Sequence, residues 1–143
     1  MRLDKPVNPL LVNSISLIIL LVIGWLDYIT GYEFGFFIFY FIPVAIAAWL
    51  CGKRSGLVMA FASALCWYLS DKYTNHPYSQ AFFIYWEMFM RLISFLTTAL
   101  TVSRIREMLL NEERLNAELR RALLENRELK ARVADSETFG QVI

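Results

Sequence analysis

Histidine and cysteine are almost missing from this chain of 143 residues, with one copy and two copies respectively. So few soft or imidazole ligands argue against a zinc site. Cys51 belongs at the inner end of one apolar segment and Cys66 well up the next, and that difference in height argues against a disulfide. His76 stands alone in a loop before Pro77. Its titration near neutral pH makes a pH response conceivable, but a haem would have to be ligated across a dimer from a poor position. An excess of charge of one sign is also missing. Fourteen basic residues against thirteen acidic ones give a net charge of +1, so there is no electrostatic case for nucleic acid. Neither a carboxylate pair with a base, nor a nucleophile constellation, nor a phosphate-cradling glycine loop is visible, so no enzyme and no cofactor are expected. Residues 1–12 do not read as a secretory signal, since no small-residue cleavage site follows and further apolar segments do.

What the chain has instead is apolar surface. Hydrophobic residues make up 57% and aromatic residues 15%, against 19% charged, well beyond a soluble domain. Four apolar segments, 9–28, 34–51, 56–70 and 80–103, approach the roughly 20 residues of a spanning helix, the third being short. Arg2 and Lys5, then Lys53 and Arg54, then Arg104 and Arg106 flank these segments so that all fall on one side if both termini are cytoplasmic. The opposite side has only Lys72, beside Asp27, Glu33 and Asp71. Thr30-Gly31 signals a tight turn, residues 52–55 form a minimal inner turn, and Pro77 ends regular helix before the fourth segment. No outer loop is large enough for a ligand-binding domain, so any sensing takes place within or at the surface of the bilayer.

Beyond Ser103 glycine and proline vanish until Gly140, and Glu, Arg, Leu, Ala and Asn dominate. A heptad places Ile105, Glu112, Leu119, Asn126 and Val133 at a, and Met108, Leu115, Ala122 and Leu129 at d. A lone Asn at a favours two parallel strands, and Glu125 at g can pair with Lys130 at the following e. The plainer alternative is a single solvated helix, since Glu112 and Ala122 weaken the seam. The same stripe runs back into the fourth apolar segment as Glu87, Arg91, Ser94, Thr98 and Thr101. One seam of Ser94, Thr98, Thr101, Ile105, Met108, Leu115, Leu119, Asn126 and Leu129 therefore joins membrane to cytoplasm. The expected architecture is an all-α membrane protein: a four-helix transmembrane bundle over 9–103, whose fourth helix extends as a cytoplasmic coiled coil over 104–134. Residues 1–8 form a cytoplasmic N-terminus, and 135–143 a tail or linker to an output module.

Several side chains are candidates for a ligand site or switch. Arg91 lies near the middle of the fourth segment, where an unpaired cation costs at least ~2.5 kcal/mol, and Glu87 is one turn away at the spacing that lets the two meet. The pair either neutralises itself to hold the bundle or acts as a charge switch or ligand anchor. An outer aromatic and acidic group includes Trp25, Asp27, Tyr28, Glu33, Asp71 and Trp86. It reads as interfacial anchoring, or as a shallow pocket for a small cation or polar headgroup. Tyr40 and Pro43 suggest a kink with a freed carbonyl, or simple packing.

The run Trp25-Leu26-Asp27-Tyr28-Ile29-Thr30-Gly31-Tyr32-Glu33 leads to Phe39-Tyr40-Phe41-Ile42-Pro43-Val44, then Ala48-Trp49 and Gly52-Lys53-Arg54-Ser55-Gly56. His76-Pro77-Tyr78, Tyr85-Trp86 and Arg91-Leu92 complete a pattern that resembles the small multi-span N-terminal input region found before diguanylate cyclase, histidine kinase and related output modules in bacteria. The resemblance covers about residues 10 to 105 and implies a sensory module of the bacterial inner membrane, although Glu87 stands after Trp86 where that pattern would have Asn. Glu125-Asn126-Arg127-Glu128-Leu129-Lys130 with Phe139-Gly140-Gln141-Val142-Ile143 is similar to the entry into the AAA+ module of sigma-54-dependent activators, which implies an input half of a longer regulator. The expected function is thus dimeric signal transmission, with membrane lipid, a second copy and a cytoplasmic output domain as partners. Two other readings stand beside it: a small oligomeric transporter or channel lined by the polar stripe, which flux in liposomes would reveal, and a passive dimerising membrane anchor.

Overall fold

A computed structural model of the chain describes residues 6–31, 35–75 and 77–141, and these residues are helical with no strand among them. Helix α1 is Pro9–Thr30. It starts where Asn8 accepts a hydrogen bond from the Leu10 amide at 3.1 Å, with proline at the first helical position. It stops at Gly31, whose φ of 67° only glycine adopts cheaply and whose N–H donates to the Asp27 carbonyl at 3.0 Å. Along the helix Ser14 donates to the Leu10 carbonyl and Thr30 to that of Leu26, the Asn13 amide donates to the Ser55 hydroxyl on the chain's later segment, and the buried Ser16 hydroxyl has no partner among the described residues.

A 3-10 segment, Phe36–Tyr40, feeds into α2, Phe41–Cys51. Tyr40 is the last residue of the 3-10 segment, and both Tyr40 and Pro43 are buried. Pro43 lies in the first turn of α2, where its missing N–H is least damaging. The Tyr40 carbonyl accepts a long bond from the Ser63 hydroxyl, at 3.5 Å. The 3-10 stretch also lengthens the element: five residues at about 2.0 Å and eleven at about 1.5 Å reach roughly 26 Å.

Helix α3, Lys53–Tyr73, is longer at both ends than its apolar stretch. The inner turn shrinks to Gly52 alone, which takes φ 91° and donates to the Ala48 carbonyl. Helix geometry then accepts Lys53, Arg54 and Ser55 readily. At the other end Asp71 and Lys72 are still helical, and Thr74 closes the helix with its hydroxyl on the Ser70 carbonyl. The last helix, α4, is Ala81–Gln141, 61 residues. Among the described residues, α1 and α4 are by length and composition the two helices apolar and long enough to cross a membrane, whereas Phe36–Cys51 is apolar but shorter.

The chain divides into two units at Arg106 and Glu107. In the first, α1, the 3-10 segment with α2, α3 and the beginning of α4 share one core, with Leu20, Tyr40, Val44, Ala64 and Phe95 nearly inaccessible. Phe95 meets the Phe41 ring edge-on at 4.9 Å and lies against Phe37 and Tyr40. Close approach depends on small residues. Gly56, Ala60 and Ala64 recur every four positions along α3, the spacing that lets helix backbones meet in a bilayer. A Cβ on Gly56 would sit 2.6 Å from the Ala48 Cβ and 3.3 Å from that of Ala99. Gly56→Leu is therefore expected to lower the melting temperature in detergent, by overpacking of about 1–3 kcal/mol. Gly140→Leu serves as control, since a Cβ there meets nothing within 4 Å. Equal melting of the two variants would rule out the tight contact.

In the second unit the described side chains are almost all exposed. Met108, Leu115, Leu119, Leu129 and Val133 are among them, each more than half exposed, and Ala122 and Asn126 are exposed as well.

Candidate functional site

Four of the side chains that the sequence marks out, Asp27, Asp71, Glu87 and Arg91, line one cavity at the end of the first unit where α1 stops and α4 starts. Helix α4 places Glu87 and Arg91 one turn apart, and the expected contact is present: Arg91 Nη2 lies 3.2 Å from Glu87 Oε2. Arg91 does more than pair. Its guanidinium carbon is 4.2 Å from the centre of the Phe37 ring and 4.1 Å from that of Trp67. The cation is thus held between two aromatic rings, the arrangement a planar guanidinium suits best. Among the described residues its Nε and Nη1, both buried, have no acceptor.

Two further carboxylates border the same cavity, each steadied by a tyrosine. Asp27, near the end of α1, accepts a hydrogen bond from the Tyr40 hydroxyl at 2.8 Å. Asp71, near the end of α3, accepts one from the Tyr78 hydroxyl at 2.6 Å. Burial, together with the bonded and negatively charged Asp71, pushes the ionisation of Tyr78 well up, so this hydroxyl remains a donor at any ordinary pH. The cavity encloses about 150 Å³, and Gly31, Gly35, Phe36, Phe37, Trp67, Ser70 and Thr74 complete its lining.

Not every candidate joins this site. Tyr28 is half exposed and lines a separate, mostly apolar groove with Trp25 and Tyr73. Trp86 is likewise half exposed, stacked on Phe82 and tilted against Phe89 on its own helix. Tyr40 serves the site through Asp27 rather than by lining it. Glu33 and His76 lie outside the described residues. Phe37 and Trp67, the two rings that hold Arg91, escaped the sequence reading. The signal for them was present: an arginine inside an apolar segment needs partners at its own depth, and aromatic faces are the partners that cost no second buried charge.

The polar stripe continues down α4 but turns its hydroxyls inward on the helix. Ser94 donates to the Met90 carbonyl and Thr98 to that of Ser94, both at 2.9 Å, while Thr101 is exposed. Cys51 and Cys66 are both free thiols. Among the described residues no group of three or more His, Cys, Asp or Glu side chains is arranged to hold a metal ion. In comparisons with known proteins, no family model, no curated protein and no solved structure matches this chain.

Proposed function

We propose that this chain is a homodimeric sensory and signal-transmission module of a bacterial inner membrane, relaying a stimulus to a cytoplasmic output rather than catalysing a reaction. In this reading four segments span the bilayer as a bundle, both termini are cytoplasmic, and α4 continues as a parallel coiled coil. The observation that carries it is that one helix, α4, contains both the Arg91 and Glu87 pair at the cavity and the exposed leucines of the heptad. A change in how α4 packs at the cavity then reaches Leu115 and Leu129 without passing through a loop. Span length supports the bundle: the 21 residues of α3 reach about 32 Å, near the ~30 Å of a hydrocarbon core.

Disulfide crosslinking in native membranes tests the proposal, with Cys51 and Cys66 both replaced by alanine. Single cysteines at Ser94, Thr101, Met108 and Leu115 are expected to crosslink two copies. Controls at Phe95, which is buried in its own chain, and at Arg106 are not. Crosslinks at Met108 and Leu115 alone would leave a coiled-coil dimer whose membrane helices do not share its axis. No crosslink at any position would sink the dimer.

A further inference from the structure

The end of the first unit opposite the Arg91 cavity carries charge of one sign. Lys53 and Arg54 open α3 there, and Arg104 and Arg106 lie where α4 leaves the unit. The Arg106 guanidinium rests beside the turn, its Nη1 3.6 Å from where a Cβ on Gly52 would be. Among the described residues none of these four cations is in an ion pair. The unit's described carboxylates, Asp27, Asp71 and Glu87, all border the other cavity. A groove of about 290 Å³ between α1 and α3 begins at this basic end. Arg54, Ser55 and Asn13 form its polar mouth, and Leu17, Val58 and Ala62 line it further along the two helices. Asn13 ties α1 to α3 at the mouth, its amide donating to the Ser55 hydroxyl at 3.2 Å. That hydroxyl keeps its own proton to give, since among the described residues it donates to none.

A polar, cationic mouth leading into an apolar channel matches the two halves of a phospholipid. Arg54 offers a charged fork and Ser55 a hydroxyl to phosphate oxygens. From Arg54 to Ala62 helix α3 rises roughly 12 Å, most of the ~15 Å that one leaflet contributes to a ~30 Å hydrocarbon core. The volume of about 290 Å³ is nearly twice that of a cavity admitting benzene, so on the order of a dozen carbons of one chain fit. Leu17 and Val58 are exposed, so the groove opens away from the core. A free phosphate would match the mouth and leave the apolar length bare, whereas an apolar helix would cover the length and leave the cations unmatched. We infer that this groove holds one anionic phospholipid of the inner leaflet, its phosphate on Arg54 and Ser55 and one acyl chain along Leu17, Val58 and Ala62. The surrounding Lys53, Arg104 and Arg106 favour a headgroup of net negative charge over a zwitterionic one. The membrane placement of this end rests on the function proposed above; lipid binding in detergent needs neither orientation, dimer nor output, so either can fail alone.

The test is native mass spectrometry of the full chain in detergent, titrated with phosphatidylglycerol, with phosphatidylcholine of the same acyl chains, and with glycerol phosphate. The expected result is one tightly retained phosphatidylglycerol per chain, with phosphatidylcholine and glycerol phosphate each at least about tenfold weaker, the size of a lost charged hydrogen bond. Arg54→Gln is expected to weaken phosphatidylglycerol by about tenfold and to leave phosphatidylcholine unchanged. Lys72→Gln, which removes the same charge at the other end of α3, is expected to change neither. Ala62→Phe, which fills the channel, is expected to weaken both lipids by about tenfold or more. Circular dichroism confirms that each variant is folded, and the exposed Arg54 carries the test if Ala62→Phe is not. Equal retention of phosphatidylcholine would make this an unselective apolar groove, and equal binding of glycerol phosphate a plain anion site. Either result, unchanged phosphatidylglycerol affinity in Arg54→Gln or in folded Ala62→Phe, or an equal loss in Lys72→Gln would overturn the inference.

Discussion

Inserting one alanine between Ser103 and Arg104 is expected to displace the output of a reporter fused after α4 to a fixed level, and inserting seven residues to restore it. One extra residue turns everything beyond it by about 100°, enough to carry Leu115 and Leu119 off the face that continues Ser94 and Thr101. Seven residues return the face to within about 20°. Two extra residues displace the face by about 200° and are expected to alter output again. The pattern, phase-dependent rather than length-dependent, separates a helix that transmits rotation from a tether that merely holds two domains near the membrane. It needs no knowledge of the stimulus, because in the proposed mechanism the resting output is itself set by register. Identical output from the one-, two- and seven-residue insertions would leave α4 as a passive anchor.

How far this chain can be read without its fold depends on whether a contact is local. The Glu87 and Arg91 pair was legible because four residues along a helix fix the meeting of two side chains, whatever packs around them. The end of α1 at Gly31 was legible for the same reason: it follows from the backbone chemistry of one or two residues. Asp27 and Tyr40 were each singled out, yet on unrelated grounds, and only the packing of α1 against the 3-10 segment makes them hydrogen-bonded partners. The true ends of α3 were hidden because hydropathy marks where apolar residues stop, not where helical geometry stops. Asp71 and Lys72 are poor membrane residues but adequate helix residues, and the helix runs through both. The contact of Gly56 with Ala48 and Ala99 had a readable signature in the spacing of Gly56, Ala60 and Ala64, although which helix would fill the groove had none. Trp67 and Phe37 lie 24 and 54 positions from Arg91, and no sequence period links them to it.

That tertiary clamp leads to a second large effect, with an asymmetry. Arg91→Met is expected to destabilise the protein by about 3–5 kcal/mol, the cost of breaking a buried charge network, whereas Glu87→Gln is expected to cost only about 0.5–1.5 kcal/mol. The two residues form one ion pair, so a pair that simply held the helix would lose similar amounts from either side. Their surroundings differ. The Arg91 side chain is 21% exposed and that of Glu87 46%, so solvent screens the carboxylate and takes up much of its loss. Removing the guanidinium also empties the space between Phe37 and Trp67, each worth about 0.5–2 kcal/mol against a cation. It further leaves Asp27, Asp71 and Glu87 facing one cavity with no positive charge among them. Arg91→Lys should fall between the two, keeping the charge but losing the planar guanidinium held over both rings. Thermal or denaturant unfolding in one detergent ranks the three variants. If Glu87→Gln proves as costly as Arg91→Met, the ion pair alone holds α4 and the rings are bystanders. If the expected order holds, Arg91 is secured mainly by aromatic faces on the 3-10 segment and on α3, and Glu87 is free to exchange partners without unfolding the site.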